Sequence, residues 1–148
     1  MKIGMDADTY VVNVDGAVER DGGYLFIERA AGEEHAAGSL AFPGGKLEAP
    51  PDTDDALAAT ARRELAEEVG VEVGDVEVVT SRTFEADDGA LCLNVVARCE
   101  FLGGEAHVRE PEEVAAVHWL APEELRGHPD APPYLVEYLE LVEAAASK

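Results

Sequence analysis

Three glutamates and an arginine crowd one short stretch of the chain, Arg63-Glu64-Leu65-Ala66-Glu67-Glu68. Carried on an α-helix, Glu64 and Glu68 lie about 40° apart around the axis, and Glu67 falls about 60° to the other side of Glu64. The three carboxylates then share a stripe roughly 100° wide, beside an apolar stripe of Leu65, Ala61 and Ala58. Arg63 sits one turn before Glu67 and can pair with it, giving a carboxylate a fixed orientation. Like charges this close repel by about a few tenths of a kcal/mol per exposed pair. An all-oxygen cluster is the donor set that Mg²⁺ or Mn²⁺ prefers; such an ion relieves the repulsion and keeps open positions for water and phosphate. On spacing alone, a solvated acidic face fits the same residues.

A helix must carry the stripe, and the pattern predicts one from about Asp54 to Val69. Ala58, Ala61, Leu65 and Val69 recur at three- and four-residue intervals, and Gly70 stands where a helix C-terminus favours it. Asp52, Thr53, Asp54 and Asp55 are N-cap candidates that place negative charge at the positive end of the helix dipole. Upstream, "TYVVNVDGAV" and "YLFIER" read as a hairpin across "ERDGG", and "AGEEHAAGSLAF" as a loop ending in a short strand. Pro43, Gly44 and Gly45 argue against any regular element at "PGGK". Downstream, "VEVGDVEVVTSRTFE" predicts one or two strands. "ALCLNVVARCEF" predicts another, with Leu91, Leu93, Val95, Ala97, Cys99 and Phe101 alternating onto one face. "VAAVHWLAPEEL" is a strand leading into a short helix begun at Pro122. "PPYLVEYLELVEAAA" is an amphipathic helix burying Leu135, Leu139 and Val142, with Pro133 in its first turn. Strands on both sides of a central helix, with a terminal helix, predict a mixed sheet between helices in one α/β or α+β domain spanning residues 1–148.

Composition narrows the partners. The 148 residues carry 32 acidic against 11 basic side chains, a net charge of −21, with lysines only at Lys2, Lys46 and Lys148. That surface repels nucleic acid and anionic membrane, both of which need basic contacts. It is also the surface a salt-rich cytoplasm favours, because dense salt screens the self-repulsion that opposes compaction. No apolar run approaches the ~20 residues of a membrane span, so the expectation is a soluble, cytoplasmic and halophilic protein. Cys92 and Cys99 are an odd number of residues apart, which in an extended segment points them to opposite faces as free thiols. His35, His107, His118 and His128 are scattered without ligand spacing.

From Gly45 onward, "GKLEAPPDTDDALAATARRELAEEVGV" resembles the Nudix box, G-x5-E-x7-R-E-U-x-E-E-x-G-U, where U is a bulky aliphatic residue. Arg63, Glu64, Leu65, Glu67, Glu68, Gly70 and Val71 match its second half in full. The first half departs: four extra residues lengthen the 49–55 segment, and Asp55 stands where the family has its first glutamate. "FPGGK" ahead of the box, "DGAVERDGGYLFIERA" and "HWLAPEEL" extend the likeness over most of the chain. The resemblance implies an α/β/α sandwich and a Mg²⁺- or Mn²⁺-dependent hydrolase that cleaves the pyrophosphate of a nucleoside diphosphate derivative. In this MutT-like reading the substrate is a nucleoside triphosphate. The alternatives are ADP-ribose, a sugar nucleotide, or a nucleotide-binding module without catalysis. Position by position it implies Glu64, Glu67, Glu68 and the Gly44 carbonyl as metal ligands, Arg63 orienting the glutamates, and Lys46 with Gly45 at the phosphates. The general base is Glu64, or Glu113 or its neighbour Glu112 on a later loop. Related domains often pair, which leaves a homodimer open. Phe26, Phe42, Phe84, Tyr24 and Asn94 are candidates for contact with a base and equally for core or strand surface.

Overall fold

The computed structural model describes residues 8–31 and 38–147, so Lys2, Lys148 and His35 lie outside the described residues. Strand β1 (Val11–Arg20) turns through Asp21 and Gly22 into β2 (Gly23–Arg29). Both turn residues have positive φ, 53° and 83°, the two-residue geometry whose twist matches antiparallel strands. The expected hairpin is short, however. Only Glu19↔Tyr24 and Arg20↔Gly23 pair, after which β1 leaves its neighbour. Its first eight residues run parallel to β6 (Leu91–Gly103), from Val11↔Cys92 to Val18↔Cys99. β6 in turn pairs antiparallel with the single long strand β5 (Glu72–Glu85), whose register shifts at three points.

On the other side β2 pairs with β3 (Leu40–Ala41) and β7 (Val114–Leu120), and β1 also takes β4 (Gly44–Lys46). The seven strands form one mixed sheet with β1 at its centre. β4 corrects the sequence expectation at "PGGK". The two glycines have little strand propensity of their own, but β1 offers a ready ladder, with Val14↔Gly45 and Asp15↔Gly44 in register.

Helix α1 (Ala56–Val69) covers one face, where Val14, Val18, Leu25, Ile27, Cys99, Ala61, Leu65 and Val69 are buried together. Helices α2 (Pro122–Arg126) and α3 (Pro133–Ala146) cover the other, with Ala17, Phe26, Phe42, Val96, Leu125, Leu135 and Leu139. β6 is therefore buried on both faces: the odd-numbered set expected to alternate inward faces α1 with Cys99, and Val96 faces α3. Cys92 and Cys99 are free and buried. Leu135, Leu139 and Val142 bury as their spacing requires.

The start of α1 differs from expectation. Asp55 occupies the N-cap position, but it is left-handed (φ 50°) and its carboxylate makes no capping bond. At the other end Gly70 adopts φ 73° and donates to Ala66 O, an αL closure that ends the helix where the sequence predicts, and Val71 N donates to Leu65 O.

Candidate active site

α1 presents its glutamates to a cleft of about 610 Å³ between its own surface, β4 and the loop before β7. Glu68 is the most deeply set, 5% exposed, and its Oε1 accepts the Gly44 N–H at 3.1 Å. Gly44 and Gly45 have to be glycine for reasons of space. A Cβ on Gly44 would run into Val14 O and lie 2.8 Å from Asp15 Cα, and one on Gly45 would strike the Glu64 carboxylate. The chain between Phe42 and Lys46 is thus pressed between β1 and the acidic face of α1.

Arg63 anchors that arrangement. Its Nη1 donates to Glu48 O and its Nη2 to Lys46 O at 3.2 Å and to Glu64 Oε1 at 3.0 Å. The carboxylate it orients is Glu64, its immediate neighbour. The pair expected from helical spacing, Arg63 with Glu67, stretches to 4.0 Å, and Glu67 is 58% exposed at the cleft rim.

The loop between β6 and β7 supplies the facing wall. His107 N donates to Val69 O and Arg109 N to Glu68 O, and the Arg109 guanidinium donates to Ala66 O at 2.8 Å. Val69 O and Glu68 O are carbonyls that a helix end leaves without intrahelical partners, and Ala66 O takes the guanidinium as a second donor beside Gly70 N. The loop is thereby tied to the last turn of α1, and a turn closed by Glu113 N and Val114 N on Glu110 O then brings Glu110 and Glu113 over Glu68. Carboxylate oxygens of Glu68, Glu110 and Glu113 lie within 4.8 Å of one another. Burial pushes the Glu68 carboxyl up from 4.5 to about 8; the Gly44 hydrogen bond opposes the rise, and the charges of Glu64, Glu113 and Glu110 add to it. Glu110 is raised as well, by desolvation first and then by the charges of Glu113 and Glu64. A cluster that resists ionisation in this way, built wholly of oxygen donors, fits a hard divalent cation.

Of the residues expected from the sequence, Gly44, Gly45, Lys46, Arg63, Glu64, Glu67, Glu68 and Glu113 all line this one cleft, whereas Glu112 does not. Glu64 and Glu67 both stand apart from the Glu68 cluster, Glu64 held by Arg63, and Glu110 takes part in it instead. Sequence reasoning missed Glu110, whose one usable signal is its three-residue spacing from Glu113.

It also missed a polar trio whose β1 members, Asn13 and Asp15, lie directly across the strand pair from Lys46 and Gly44. Asn13 Nδ2 donates to Asp15 Oδ1 at 2.8 Å and to Asn94 Oδ1 at 2.7 Å, and Asn94 Nδ2 donates to Asp15 Oδ2 at 3.1 Å. Asn13 and Asp15, two apart on a strand and in phase with Ala17, face the α3 side. Burial raises the Asp15 carboxyl to about 6 against the pull of its two amide bonds and of Arg29. Of the candidate base contacts, Phe42 reaches the cleft. Phe26 stacks behind it at 5.1 Å, Tyr24 is core, and Phe84 is exposed on β5.

With fold and cleft in hand, comparison places the chain. Residues 9–141 match the family model of the NUDIX domain, and the chain belongs to that family. It is 32% identical over 78 residues to an 8-oxo-dGTP diphosphatase of Escherichia coli (strain K12), covering 53% of this chain and 57% of that protein. It is 42% identical over 73 residues to the mouse (Mus musculus) peroxisomal coenzyme A diphosphatase NUDT7, covering 49% of this chain and 30% of that protein. These matches therefore span less than two thirds of either curated relative. The crystal structure of a MutT NUDIX hydrolase from Burkholderia pseudomallei superposes with a TM-score of 0.76 at 26% identity, covering 91% of this chain and 99% of that one. The α/β/α arrangement expected from the sequence is that of these structures. Among the described residues no helix is long and apolar enough to cross a membrane.

Proposed function

We propose that the protein is a divalent-metal-dependent hydrolase of the pyrophosphate linkage in nucleoside diphosphate derivatives, with nucleoside triphosphates as its substrates. The observation that carries this reading is the convergence of Glu68, Glu110 and Glu113 within 4.8 Å, beside Gly44, where backbone leaves no room for a Cβ. Glu64, Glu68 and Glu110 would hold Mg²⁺ or Mn²⁺, with the Gly44 carbonyl as a further ligand and Glu67 at the rim. Such an ion neutralises phosphate oxygens and acidifies bound water. Arg63 keeps Glu64 in place. Lys46, exposed at the cleft mouth, meets the outer phosphate. Glu113, the most solvent-exposed of the clustered carboxylates, accepts the proton of the attacking water. The new bond is water oxygen to phosphorus, the bridging P–O bond breaks, and its electrons leave with the departing phosphate.

The triphosphate reading draws on the likeness to the 8-oxo-dGTP diphosphatase and on the "FPGGK" segment. The likeness to the coenzyme A diphosphatase supports a second reading, in which the diphosphate belongs to coenzyme A. Incubation with Mg²⁺ and a panel of nucleoside triphosphates, coenzyme A, ADP-ribose and sugar nucleotides, followed by phosphate and nucleotide release, decides between them. Preferred cleavage of triphosphates, abolished by EDTA, is the expected result. Binding without cleavage would leave only a nucleotide-sensing module.

A further inference from the structure

A second cleft, of about 440 Å³, opens where β1 leaves β6 beyond Val18 and turns into β2. Glu19, Asp75, Glu77 and Glu100 line it, together with Arg98, whose Nη1 donates to Glu77 Oε1 at 3.3 Å. Asp75 lies where β5 shifts register between Val73 and Val76, and its N–H donates to Glu100 Oε1 at 3.3 Å. The Glu19 and Asp75 carboxylates and Glu100 Oε2 have no partner among the described residues. Arg20 does not supply one, since it lies over the Phe101 ring at 4.9 Å with its Nε 3.9 Å from Asp21. Acidic surface of this kind is common in such a chain; Tyr24 sets the cleft apart. It is 3% exposed, with its ring in the core under α3, yet it lines the cleft and its hydroxyl makes no hydrogen bond among the described residues. A phenol set this deeply ordinarily has a partner. Burial, and then the charges of Glu19 and Glu143, push it above the usual phenol range, so it meets the cleft as a neutral hydroxyl.

We propose that this cleft binds a linear polyamine, with its ammonium groups on Glu19, Asp75 and Glu100 and one N–H donated to the Tyr24 hydroxyl. The charge here suits a string of cations better than a point charge. A hard divalent ion needs carboxylate oxygens drawn together, and among the described residues that grouping occurs at Glu68, Glu110 and Glu113 and not in this cleft. Ala17 and Phe101 give the methylenes between ammonium groups an apolar wall. An ammonium also brings the N–H that a phenol oxygen accepts, which a bare metal cation does not. The volume falls in the range of small-molecule sites. The inference stands apart from the proposed function, because no residue lines both clefts.

The test is calorimetric titration of spermidine into the protein at about 0.15 M KCl, with Mg²⁺ in excess so that the glutamate cleft does not compete. One saturable site is expected. Glu19→Gln and Glu100→Gln keep the shape of exposed side chains and remove one charge, and each should weaken binding about tenfold. Tyr24→Phe removes only the hydroxyl and should weaken it about threefold or more. Glu85→Gln removes the same charge from exposed β5 outside the cleft and should leave affinity within about twofold of the parent. Heats that never saturate, or a loss in Glu85→Gln equal to that in Glu19→Gln, would show that net charge rather than this cleft attracts the polyamine, and would overturn the inference. So would an affinity that Tyr24→Phe leaves unchanged. Each of these results leaves the proposed function intact.

Discussion

Replacing Glu68 by glutamine separates what the cleft needs for chemistry from what it costs the fold. In metal-free protein the Glu68 carboxyl, 5% exposed, holds its proton up to about pH 8 instead of 4.5, chiefly through burial. Between those values the folded state keeps a proton that the unfolded chain releases. The associated stability is fully present below about pH 4.5 and is lost as pH rises through about 8. A shift of about three and a half units at about 1.4 kcal/mol each sets a ceiling on the order of 5 kcal/mol. Glutamine keeps the length of the side chain and an oxygen for the Gly44 N–H, but it cannot ionise. In EDTA, variant and parent should melt together near pH 5. By about pH 9 the variant should melt higher by roughly 5–10 °C, since about 1 kcal/mol moves a domain of this size by roughly 2–4 °C. Saturating Mg²⁺ should then stabilise the parent and leave the variant little changed. The same variant should lose at least ~10² in turnover. Parallel melting curves across the whole pH range, or a variant less stable at high pH, would refute the idea that the cleft holds a desolvated carboxylate.

Neighbouring glycines should respond differently to a methyl group. Gly44→Ala meets backbone at Val14 O and should destabilise by about 1–3 kcal/mol in a denaturant titration, whereas Gly45→Ala meets only the movable Glu64 carboxylate. Gly45→Ala should therefore keep the melting temperature within a few degrees and lower kcat by about tenfold or more, through displaced Glu64. Arg63→Ala frees Glu48 O, Lys46 O and Glu64 together. Mg²⁺ titrations of activity should show the half-saturating concentration rising about tenfold, with the loss partly recovered at high Mg²⁺. With a net charge of −21, the melting temperature should rise between dilute and molar KCl; an unchanged or falling value counts against a salt-rich origin.

Local signals carried most of the fold and half of the site. The α1 stripe, Gly70 and the Leu135–Leu139–Val142 seam were legible because each depends on residues within a few turns of one another. The span from Ala56 to Val69 departs from expectation only at its first residues. β4 was not legible, because its pairing belongs to β1, some thirty residues away in sequence. Helical spacing set Glu64, Glu67 and Glu68 on one stripe, but the stripe spans the boundary between cleft and solvent, so Glu68 is buried and Glu67 faces out. Glu110 joins them across a long loop whose course depends on contacts with the α1 terminus. Asn13, Asp15 and Asn94 read as ordinary strand residues until the sheet order put β6 beside β1.

The loop that delivers Glu110 and Glu113 hangs from main-chain carbonyls of α1, through two backbone amides and one guanidinium. Its path is consequently indifferent to the identity of the groups it carries. Substituents at 110 and 113 can be exchanged while the suspension points stay where they are. One residue added between Glu110 and Glu113 would shift the carboxylates out of their common register over Glu68. This stretch behaves as an interchangeable tool head on a fixed mount, a natural place for a laboratory to alter the reaction without rebuilding the domain.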